Sequence, residues 1–364
     1  MKQKILIYGL VFLVLVVATG IVFTKPVKSN VKIASGQKVE TASKKAVSLP
    51  KEPALENKNI NFFFAGDAML DRYIFSVAQK RGTGFLTGKM QSLFSDPNEI
   101  VFNLEGPVTK NSSVSKETLI GDKGNMRFTF DSDLTKNFLQ STRASAVFIG
   151  NNHVWDFGQA GFDDTKKFLT ENQIPFFGDA GGENKPLERK IGNAKVAYVA
   201  FNQFLGQPAE KVVEEIWRLK KNNNFVVLYA HWGVEYARLE SQKQKDWAHS
   251  FIDAGADLVI GSHPHVVQPI EVYKNKAIFY SLGNFVFDQY FSPETMEGLA
   301  VGVSVKDDGQ EFYLSPLSLN HNGSTTLSEG KKKDSLLLWL AENSAVSGGL
   351  KEGLKSGHFQ IENK

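Results

Sequence analysis

The stretch Ala256-Asp257-Leu258-Val259-Ile260-Gly261-Ser262-His263-Pro264-His265 combines a strand with a candidate ligand pair. Its apolar first half predicts a buried strand, and its polar second half places two histidines, one residue apart, where that strand ends. In α/β folds, ligands usually bind at such strand ends. Neutral imidazole is the commonest metal-donating side chain, so the stretch predicts a metal site, although one His-x-His motif is weak evidence.

Short apolar runs that end in polar clusters recur from Asn59 onward and predict strands. They span 60–65, 100–104, 146–149, 196–201, 225–230, 258–260 and 277–282, with further strands near 299–305 and 311–317. Helical patterns lie between several of them, at 131–140, 161–172 and 244–254. Strands that alternate with helices predict an α/β sheet structure. After Asn320 the chain turns polar, and its apolar patch 336–340 predicts a helix that packs on the body.

Five of these strands are followed directly by side chains that can bind a metal. The candidates are Asp67, Glu105, Asn152 with His153, His231, and the pair His263 and His265. Any one of them could be an ordinary structural residue, but their recurrence at strand ends predicts a metal centre. The chain has no Cys, so the ligands must be carboxylate, imidazole and amide, which suits one or two ions of Mn, Fe, Zn or Mg. Such ions activate water and stabilise a developing oxyanion.

The N-terminal region predicts a membrane anchor. Residues 1–4 are short and basic, and 5–23 form an uncharged apolar run of nineteen residues, long enough at about 28 Å to cross a bilayer core. A cleaved signal peptide is the alternative, but its apolar region is usually shorter and the small residues of a cleavage site are a poor match. We expect an uncleaved, single-pass anchor with a cytoplasmic tail and an extracytoplasmic body at the cell membrane.

Composition divides the rest of the chain. Residues 24–58, rich in Lys, Ser, Val and Pro, predict a disordered linker. Residues 1–58 carry ten Lys and three Glu, so the basic net charge of the chain belongs to this region and the remainder is mildly acidic. We therefore expect no nucleic-acid partner for the body. The predicted organisation is one domain over 59–320, followed by a polar tail with a short helix over 321–364.

Six ordered blocks make the body resemble the bacterial capsule-synthesis CapA family, a branch of the calcineurin-like metallophosphoesterases associated with poly-γ-glutamate production. The blocks are Gly66-Asp67-Ala68-Met69-Leu70-Asp71-Arg72, Asn103-Leu104-Glu105, Asn151-Asn152-His153-Val154-Trp155-Asp156-Phe157-Gly158, His231-Trp232-Gly233-Val234-Glu235-Tyr236, Gly261-Ser262-His263-Pro264-His265 and Ser281-Leu282-Gly283-Asn284-Phe285. The resemblance implies a two-sheet, metallophosphoesterase-like sandwich with helices outside and metal ligands on loops at one edge.

The same resemblance assigns roles to individual residues. Asp67 and His265 would bind a first metal, Glu105 would bridge, and Asn152, His231 and His263 would bind a second. His153 would be the catalytic acid, oriented by Asp156, because a carboxylate fixes the tautomer and angle of an imidazole. Arg72, Asn103 and Glu235 are candidates for binding the substrate, and Arg in particular offers a fork for carboxylate or phosphate. Asp71 and Asn151 are interpreted as structural, and Asn284 as shaping a turn.

One departure bears on activity. The wider superfamily begins with an Asp-x-His motif, but Met69 stands two residues after Asp67, and thioether is a poor ligand for hard divalent ions. The leading hypothesis is a membrane-anchored CapA-like hydrolase in capsule or poly-γ-glutamate biosynthesis or export, in which metal-activated water attacks a phosphate or acyl centre of an anionic polymer or phosphate ester. The alternative is a non-catalytic scaffold or polymer-binding subunit beside other membrane subunits of a polymer synthase. A third reading is a surface phosphatase unrelated to capsule.

Overall fold

Strand β1 (Ile60–Ala68) begins the part of the chain that the computed structural model describes, which is residues 60–115, 123–178, 185–223 and 225–363. The predicted cytoplasmic tail 1–4, anchor 5–23 and linker 24–58 lie outside the described residues. Within the described ranges, no helix is both long and apolar enough to cross a membrane.

The strands follow the apolar runs of the sequence, most of them within three residues of the predicted bounds. After β1 they are β2 (Glu99–Leu104), β3 (Ala146–Phe148), β4 (Phe176–Phe177), β5 (Leu187–Ile191), β6 (Ala194–Asn202), β7 (Phe225–His231), β8 (Leu258–Ser262), β9 (Ile270–Tyr273), β10 (Lys276–Phe279), β11 (Asn284–Val286), β12 (Glu297–Lys306), β13 (Gly309–Leu319), β14 (Thr325–Leu327) and β15 (His358–Glu362).

The helices cover the outer faces and connect the strands. They are α1 (Arg72–Arg81), α2 (Gly84–Thr87), α3 (Ser132–Ser141), α4 (Gly158–Glu171), α5 (Ala209–Lys220), α6 (Gln242–Ala254), α7 (Gly330–Asn343) and α8 (Gly348–Ser356). The sequence around helix α6 shows why this helix begins and ends where it does. Ser241 and Gln244 form a capping box at its start, and Gly255 ends it with a φ of 116°, a conformation that glycine adopts without steric cost.

The described strands form two sheets. The larger sheet has the order β14-β13-β12-β1-β2-β3-β4, with β11 added beside β1 and β15 beside β13, and the smaller has the order β5-β6-β7-β8-β10-β9. Strands β1, β2, β3 and β4 run parallel to one another, as do β6, β7, β8 and β10. Parallel strands present their carboxyl ends at one edge, so each sheet has an edge where strand ends collect.

The two sheets pack face to face, with alternate residues pointing inward. Phe62 and Phe64 of β1 belong to the central apolar cluster, whereas Phe63 lies in the cluster under the outer helices. Across the sandwich, the Phe148 ring stacks on Tyr229 with centroids 4.7 Å apart, and the Tyr229 hydroxyl donates to the Ala65 carbonyl at 2.8 Å. The expected two-sheet α/β architecture is thereby confirmed.

The C-terminal segment differs from the prediction of a polar tail with one short helix over 321–364. It contains β14, α7, α8 and β15, and β15 pairs with β13 inside the larger sheet. Phe359 and Ile361 of β15 are buried in the central cluster, while the residues between and beside them are exposed. This alternation over only five residues is masked by the polar sequence around it, so the domain extends past residue 320.

Candidate metal centre

The carboxyl edges of both sheets bring the predicted donors together. Asp67 lies near the end of β1, Glu105 directly after β2, and His231 is the last residue of β7. Two glycines permit the close approach of neighbouring strands. A Cβ on Gly66 would lie 1.8 Å from the Gly283 carbonyl oxygen, and one on Gly261 would lie 2.0 Å from the Tyr280 carbonyl oxygen.

The first donor group consists of Asp67, Glu105 and His265. In the described chain each offers one donor atom, and these atoms lie within 4.8 Å of one another. Nδ1 of His265 is 3.0 Å from Oδ1 of Asn284, whose amide nitrogen is occupied as a donor to other oxygens. His265 therefore carries its proton on Nδ1, and its Nε2 lone pair faces Oε1 of Glu105 at 3.5 Å.

Glu105 is the most unusual member of this group. It is fully buried, and its Oε1 accepts no hydrogen bond from the described residues. Burial first, and then the charges of Asp67 and Glu235, raise the pKa of Glu105 well above its ordinary value. A buried carboxylate among other carboxylates is costly unless a proton or a cation neutralises it. The chemistry of this donor set therefore fits a divalent cation.

Asn103 positions the two carboxylates of this group. Its amide nitrogen donates to Oδ1 of Asp67 at 2.8 Å and to Oε2 of Glu105 at 3.2 Å, and its amide oxygen accepts from Asn151 at 2.9 Å. Asn103 is completely buried, and its side chain makes these hydrogen bonds with Asp67, Glu105 and Asn151. Its role in binding substrate stays a prediction.

The second donor group consists of Asn152, His231 and His263. The Ser262 hydroxyl donates to the Ala230 carbonyl at 2.9 Å, so it accepts from Nδ1 of His231 at 3.1 Å. The Nε2 lone pair of His231 then faces Oδ1 of Asn152 at only 2.7 Å. Two acceptors that face each other are satisfied by a cation, which makes this group fit a metal as well.

Both histidines of this group are held neutral, as metal ligands must be. Burial, and then the neighbouring His263, lower the pKa of His231 well below its ordinary value. Burial, and then His265, lower the pKa of His263 to about 3. Nδ1 of His263 is buried and makes no hydrogen bond with the described residues, and its ring lies 4.7 Å from that of His231. An unpartnered, buried ring nitrogen is again an atom that a metal could use.

The loop that carries His263 and His265 is strained. His263 has a φ of 95° and His265 a φ of 57°, in the left-handed region that side chains other than glycine rarely adopt. The His263 N–H donates to Oδ2 of Asp67 at 3.2 Å, which ties the loop to β1. Strain of this kind persists where surrounding structure over-determines it, commonly at functional sites.

His153 and Asp156 form the pair that the resemblance implies. Nδ1 of His153 lies 3.0 Å from Oδ2 of Asp156, and that oxygen also accepts from the Phe128 N–H at 2.7 Å. The His153 ring lies against the Phe128 ring with centroids 4.2 Å apart. The arrangement orients the imidazole and leaves its Nε2 as the atom for proton transfer, although the catalytic role itself stays a prediction.

Arg72 lies in a buried ion pair. Its guanidinium pairs with Asp288, donates to the Asn125 carbonyl at 3.2 Å and lies over the rings of Phe128 and Phe287. These contacts give Arg72 a structural role in the described part of the chain. Its Nε is buried and forms no hydrogen bond with the described residues, so one donor remains for the predicted contact with an anion.

Glu235 is half-buried at the same edge. Its charge contributes to the raised pKa of Glu105. Burial first, and then Glu235, raise the pKa of Tyr236 to about 12, so the phenol stays protonated at neutral pH. Glu235 is thus adjacent to the first donor group, and contact with substrate stays a prediction.

The comparison with known proteins matches the region that contains the six sequence blocks. The sequence profile of the family described as bacterial capsule synthesis protein PGA_cap matches residues 61–289, which cover every candidate residue of the site. The chain belongs to this family. The resemblance to CapA proteins is therefore confirmed.

Curated relatives extend the match beyond the site. The PGA biosynthesis protein CapA of Bacillus subtilis is 28% identical over 79% of this chain and 78% of its own length. The capsule biosynthesis protein CapA of Bacillus anthracis is 26% identical over 80% of this chain and 75% of its own length. A solved phosphatase from Mycoplasma pneumoniae is 12% identical with a TM-score of 0.45, over 76% of this chain and 96% of that one. A structural likeness of that size carries no functional argument.

The structure explains the departure at Met69 in this family member. Met69 is fully buried in the apolar cluster under the outer helices, and its sulfur accepts from the Asp71 N–H at 3.0 Å. The position two residues after Asp67 therefore faces the core. The first donor group has the carboxylates of Asp67 and Glu105 and the imidazole of His265 without a further ligand from β1.

Asp71 is a residue whose role the sequence pattern did not reveal. Its buried carboxylate caps α1 and accepts from the hydroxyls of Ser113 and Ser115 and from the Thr129 N–H. Through Thr129 it holds the segment whose Phe128 lies against His153. Apart from the adjacent Arg72 N–H at the cap, its partners are 42 to 58 residues away along the chain, so no local pattern could have identified them.

Proposed function

We propose that this protein is a membrane-anchored, extracytoplasmic CapA-like protein of capsule or poly-γ-glutamate biosynthesis or export, and that its body is a metal-dependent hydrolase. The observation that carries the proposal is the meeting of two donor groups, each with a buried lone pair that the protein leaves unused. Membership of the PGA_cap family and the names of the two Bacillus relatives support the polymer context.

A divalent cation held by these groups would lower the pKa of bound water and offset the charge that develops on the substrate. The residues of the chain have their own tasks. Asp67, Glu105 and His265 define the first position, and Asn152, His231 and His263 the second. Asn103 holds the Asp67 and Glu105 oxygens in place.

His153 would serve the leaving group. Asp156 holds its Nδ1, and Phe128 fixes the plane of its ring, so Nε2 is presented with one orientation. A positioned imidazole with this support is suited to donate a proton to a departing oxygen or nitrogen. Substrates that suit the site are phosphate esters and the amide bonds of an anionic polymer.

The test is the His153→Ala variant of the full chain, assayed for polymer production in cells and for metal content after purification. We expect polymer production to fall by about 100-fold or more, as for loss of a general acid, with metal content unchanged. His249→Ala is the matched control, because His249 also pairs with a carboxylate, Glu271 at 2.8 Å, and stacks on an aromatic ring, Tyr273. Normal polymer production by His153→Ala would contradict the hydrolase.

The second candidate is a tethered, non-catalytic subunit that binds polymer or other membrane components. The burial of Met69 in the core and of Arg72 in an ion pair favours it, because both reduce the groups available to a substrate. It predicts that His153→Ala retains function whereas loss of the metal-binding residues does not.

Anchoring is a separate part of the proposal and rests on the apolar run 5–23. Protease added to intact cells should release the body from a membrane-bound N-terminal fragment. Protection of the body in intact cells, with cleavage only after lysis, would contradict an extracytoplasmic location.

A further inference from the structure

Behind His265 a chain of hydrogen bonds leads through Asn284 and Gln289 to Tyr236 at the edge of the site. We infer that Asn284, Gln289 and Tyr236 form a relay that positions His265 for the first donor group. Under this inference, which rests on the proposed metal centre, the relay sets how tightly that group binds a divalent cation.

The direction of every bond in the relay follows from the acceptors around Asn284. Nδ2 of Asn284 donates to the Thr295 carbonyl, which can only accept, so Oδ1 of Asn284 faces His265 Nδ1 at 3.0 Å. Nδ2 of Asn284 also donates to Oε1 of Gln289 at 3.1 Å, and Nε2 of Gln289 donates to the Tyr236 hydroxyl at 3.4 Å. All donors therefore point away from Asn284 Oδ1, and the His265 proton is held on Nδ1, which also faces Oδ2 of Asp67 at 3.3 Å.

The two residues in the middle of the relay are buried and held in place. Asn284 is completely buried and Gln289 is 6% exposed. The amide nitrogen of Asn284 also donates to the Thr295 carbonyl at 3.0 Å and to the His265 carbonyl at 3.3 Å. Together with the bond to Gln289, these contacts keep the amide oxygen turned toward His265.

The far end of the relay is held by a strained loop. Tyr236 has a φ of 65°, and its N–H donates to the carbonyl of Pro264, the residue between the two site histidines, at 2.8 Å. Its ring is 40% exposed and meets Phe291 edge-on at 5.1 Å. The loop after β7 is thus bonded to the histidine loop twice, once through the backbone and once through the relay.

This chain has a particular need for such support. Because Met69 lies in the core, His265 supplies the imidazole of the first donor group. If His265 moved its proton to Nε2, the group would present an N–H instead of a lone pair to the cation. Outer partners that fix a ligand histidine commonly change metal affinity by about 10- to 100-fold.

The experiment compares Gln289→Met and Tyr236→Phe in the full chain by Mn²⁺ titration and by ¹⁵N NMR of the histidine rings in metal-free protein. A His265→Gln chain assigns the His265 signals. We expect Gln289→Met to lower Mn²⁺ affinity about tenfold and to give His265 a mixture of tautomers. Tyr236→Phe should lower the affinity by a smaller factor.

Two variants separate positioning from a general structural effect. Gln289→Glu keeps the acceptor for Asn284 and can accept from the Tyr236 hydroxyl, so it should keep both the affinity and the single tautomer of the wild type. Tyr313→Phe is the matched control, because Tyr313 is also an exposed tyrosine with a hydrogen-bonded hydroxyl, which donates to Glu311 at 3.0 Å. It should bind Mn²⁺ like the wild type.

Unchanged affinity and an unchanged tautomer in both Gln289→Met and Tyr236→Phe would overturn the relay. If Gln289→Met did not fold, Tyr236→Phe alone would decide, since its exposed ring remains in place. If wild-type protein bound no Mn²⁺, the proposed metal centre would fail, but a wild-type His265 held on Nδ1 and released by Tyr236→Phe would still establish the relay.

Discussion

Two buried carboxylates near opposite ends of β8 are treated in opposite ways. Asp257, just before the strand, accepts from the Lys220 and Lys276 ammonium groups, each at 2.8 Å. Burial pushes the pKa of Asp257 upward, but the two lysines more than offset it and hold the pKa below its ordinary value. Glu105, beside the loop after the strand, has Asp67 and Glu235 for neighbours, and its pKa is raised.

The difference shows which charge the protein neutralises itself. An isolated buried charge costs several kcal/mol, so a fold keeps one only when it is paired or when function needs it. At Asp257 the chain supplies the pairing cations. At Glu105 it supplies further carboxylates and an unused oxygen, so neutralisation is left to a proton or, under the proposed function, to a cation from solution.

The largest expected effect is at Asp257, the carboxylate that is paired with two lysines. Asp257→Asn should lower the free energy of unfolding by about 3–5 kcal/mol, because it removes the carboxylate charge that pairs with the buried Lys220 ammonium group. The loss should be the same with and without Mn²⁺, as measured by denaturant unfolding. The surface pair of Lys274 with Asp253 provides the control, since Asp253→Asn should change stability far less. Equal losses in the two variants would contradict the comparison.

The difference in stability between wild type and Asp257→Asn should disappear over a defined range of acidic pH. The pKa of Asp257 is lower in the folded chain than the ordinary value of 3.8, so its contribution to stability is complete above pH 3.8. The gap in unfolding free energy between wild type and Asp257→Asn should stay constant from pH 7 to about 4 and shrink as the pH falls further. Unfolding curves at a series of pH values test this, and a gap that shrinks already between pH 7 and 5 would contradict it.

A smaller change in the unfolding free energy, of opposite sign, is expected at Glu105. Glu105→Gln should raise the unfolding free energy of the metal-free chain by about 1–3 kcal/mol at pH 7, because it removes a charge that burial penalises. The same variant should lose the stabilisation that Mn²⁺ gives the wild type. Thermal unfolding in EDTA and in Mn²⁺ measures both. A variant less stable than wild type in EDTA would show that Glu105 is neutralised within the chain.

The smallest effect is expected at Met69. Met69→Leu should cost less than about 1.5 kcal/mol, as a volume-conserving change in the core. Metal content should be unchanged, because the thioether faces the apolar cluster and bonds only to the Asp71 N–H in the described contacts. Loss of metal on this substitution would place Met69 in the centre after all.

Much of the fold was predictable because its strands are nearly continuous apolar runs, and the donors were found because each directly follows such a run. Helix α5 was missed because only a narrow stripe, including Val212, Ile216 and Leu219, is buried on an otherwise charged helix. Strand β15 was missed because its two inward residues stand in a polar tail.

The supporting residues of the site could not be predicted for a different reason. Arg72 pairs with Asp288, 216 residues later, and Asn284 reaches His265 across a gap of 19 residues. Such contacts depend on how the loops fold back over the sheet edges. Such contacts leave no periodic pattern within one helix or strand. A donor, by contrast, lies next to its own strand in the sequence and can be found locally.

The most direct test of the central claim is the metal content of the purified full-length chain, measured by elemental analysis beside Glu105→Gln and His231→Ala/His263→Ala. We predict near-stoichiometric Mn, Fe or Zn in the wild type and a reduced content in each variant. Absence of bound metal in the wild type, even after reconstitution with Mn²⁺, would contradict the claim that a cation from solution neutralises the buried carboxylates.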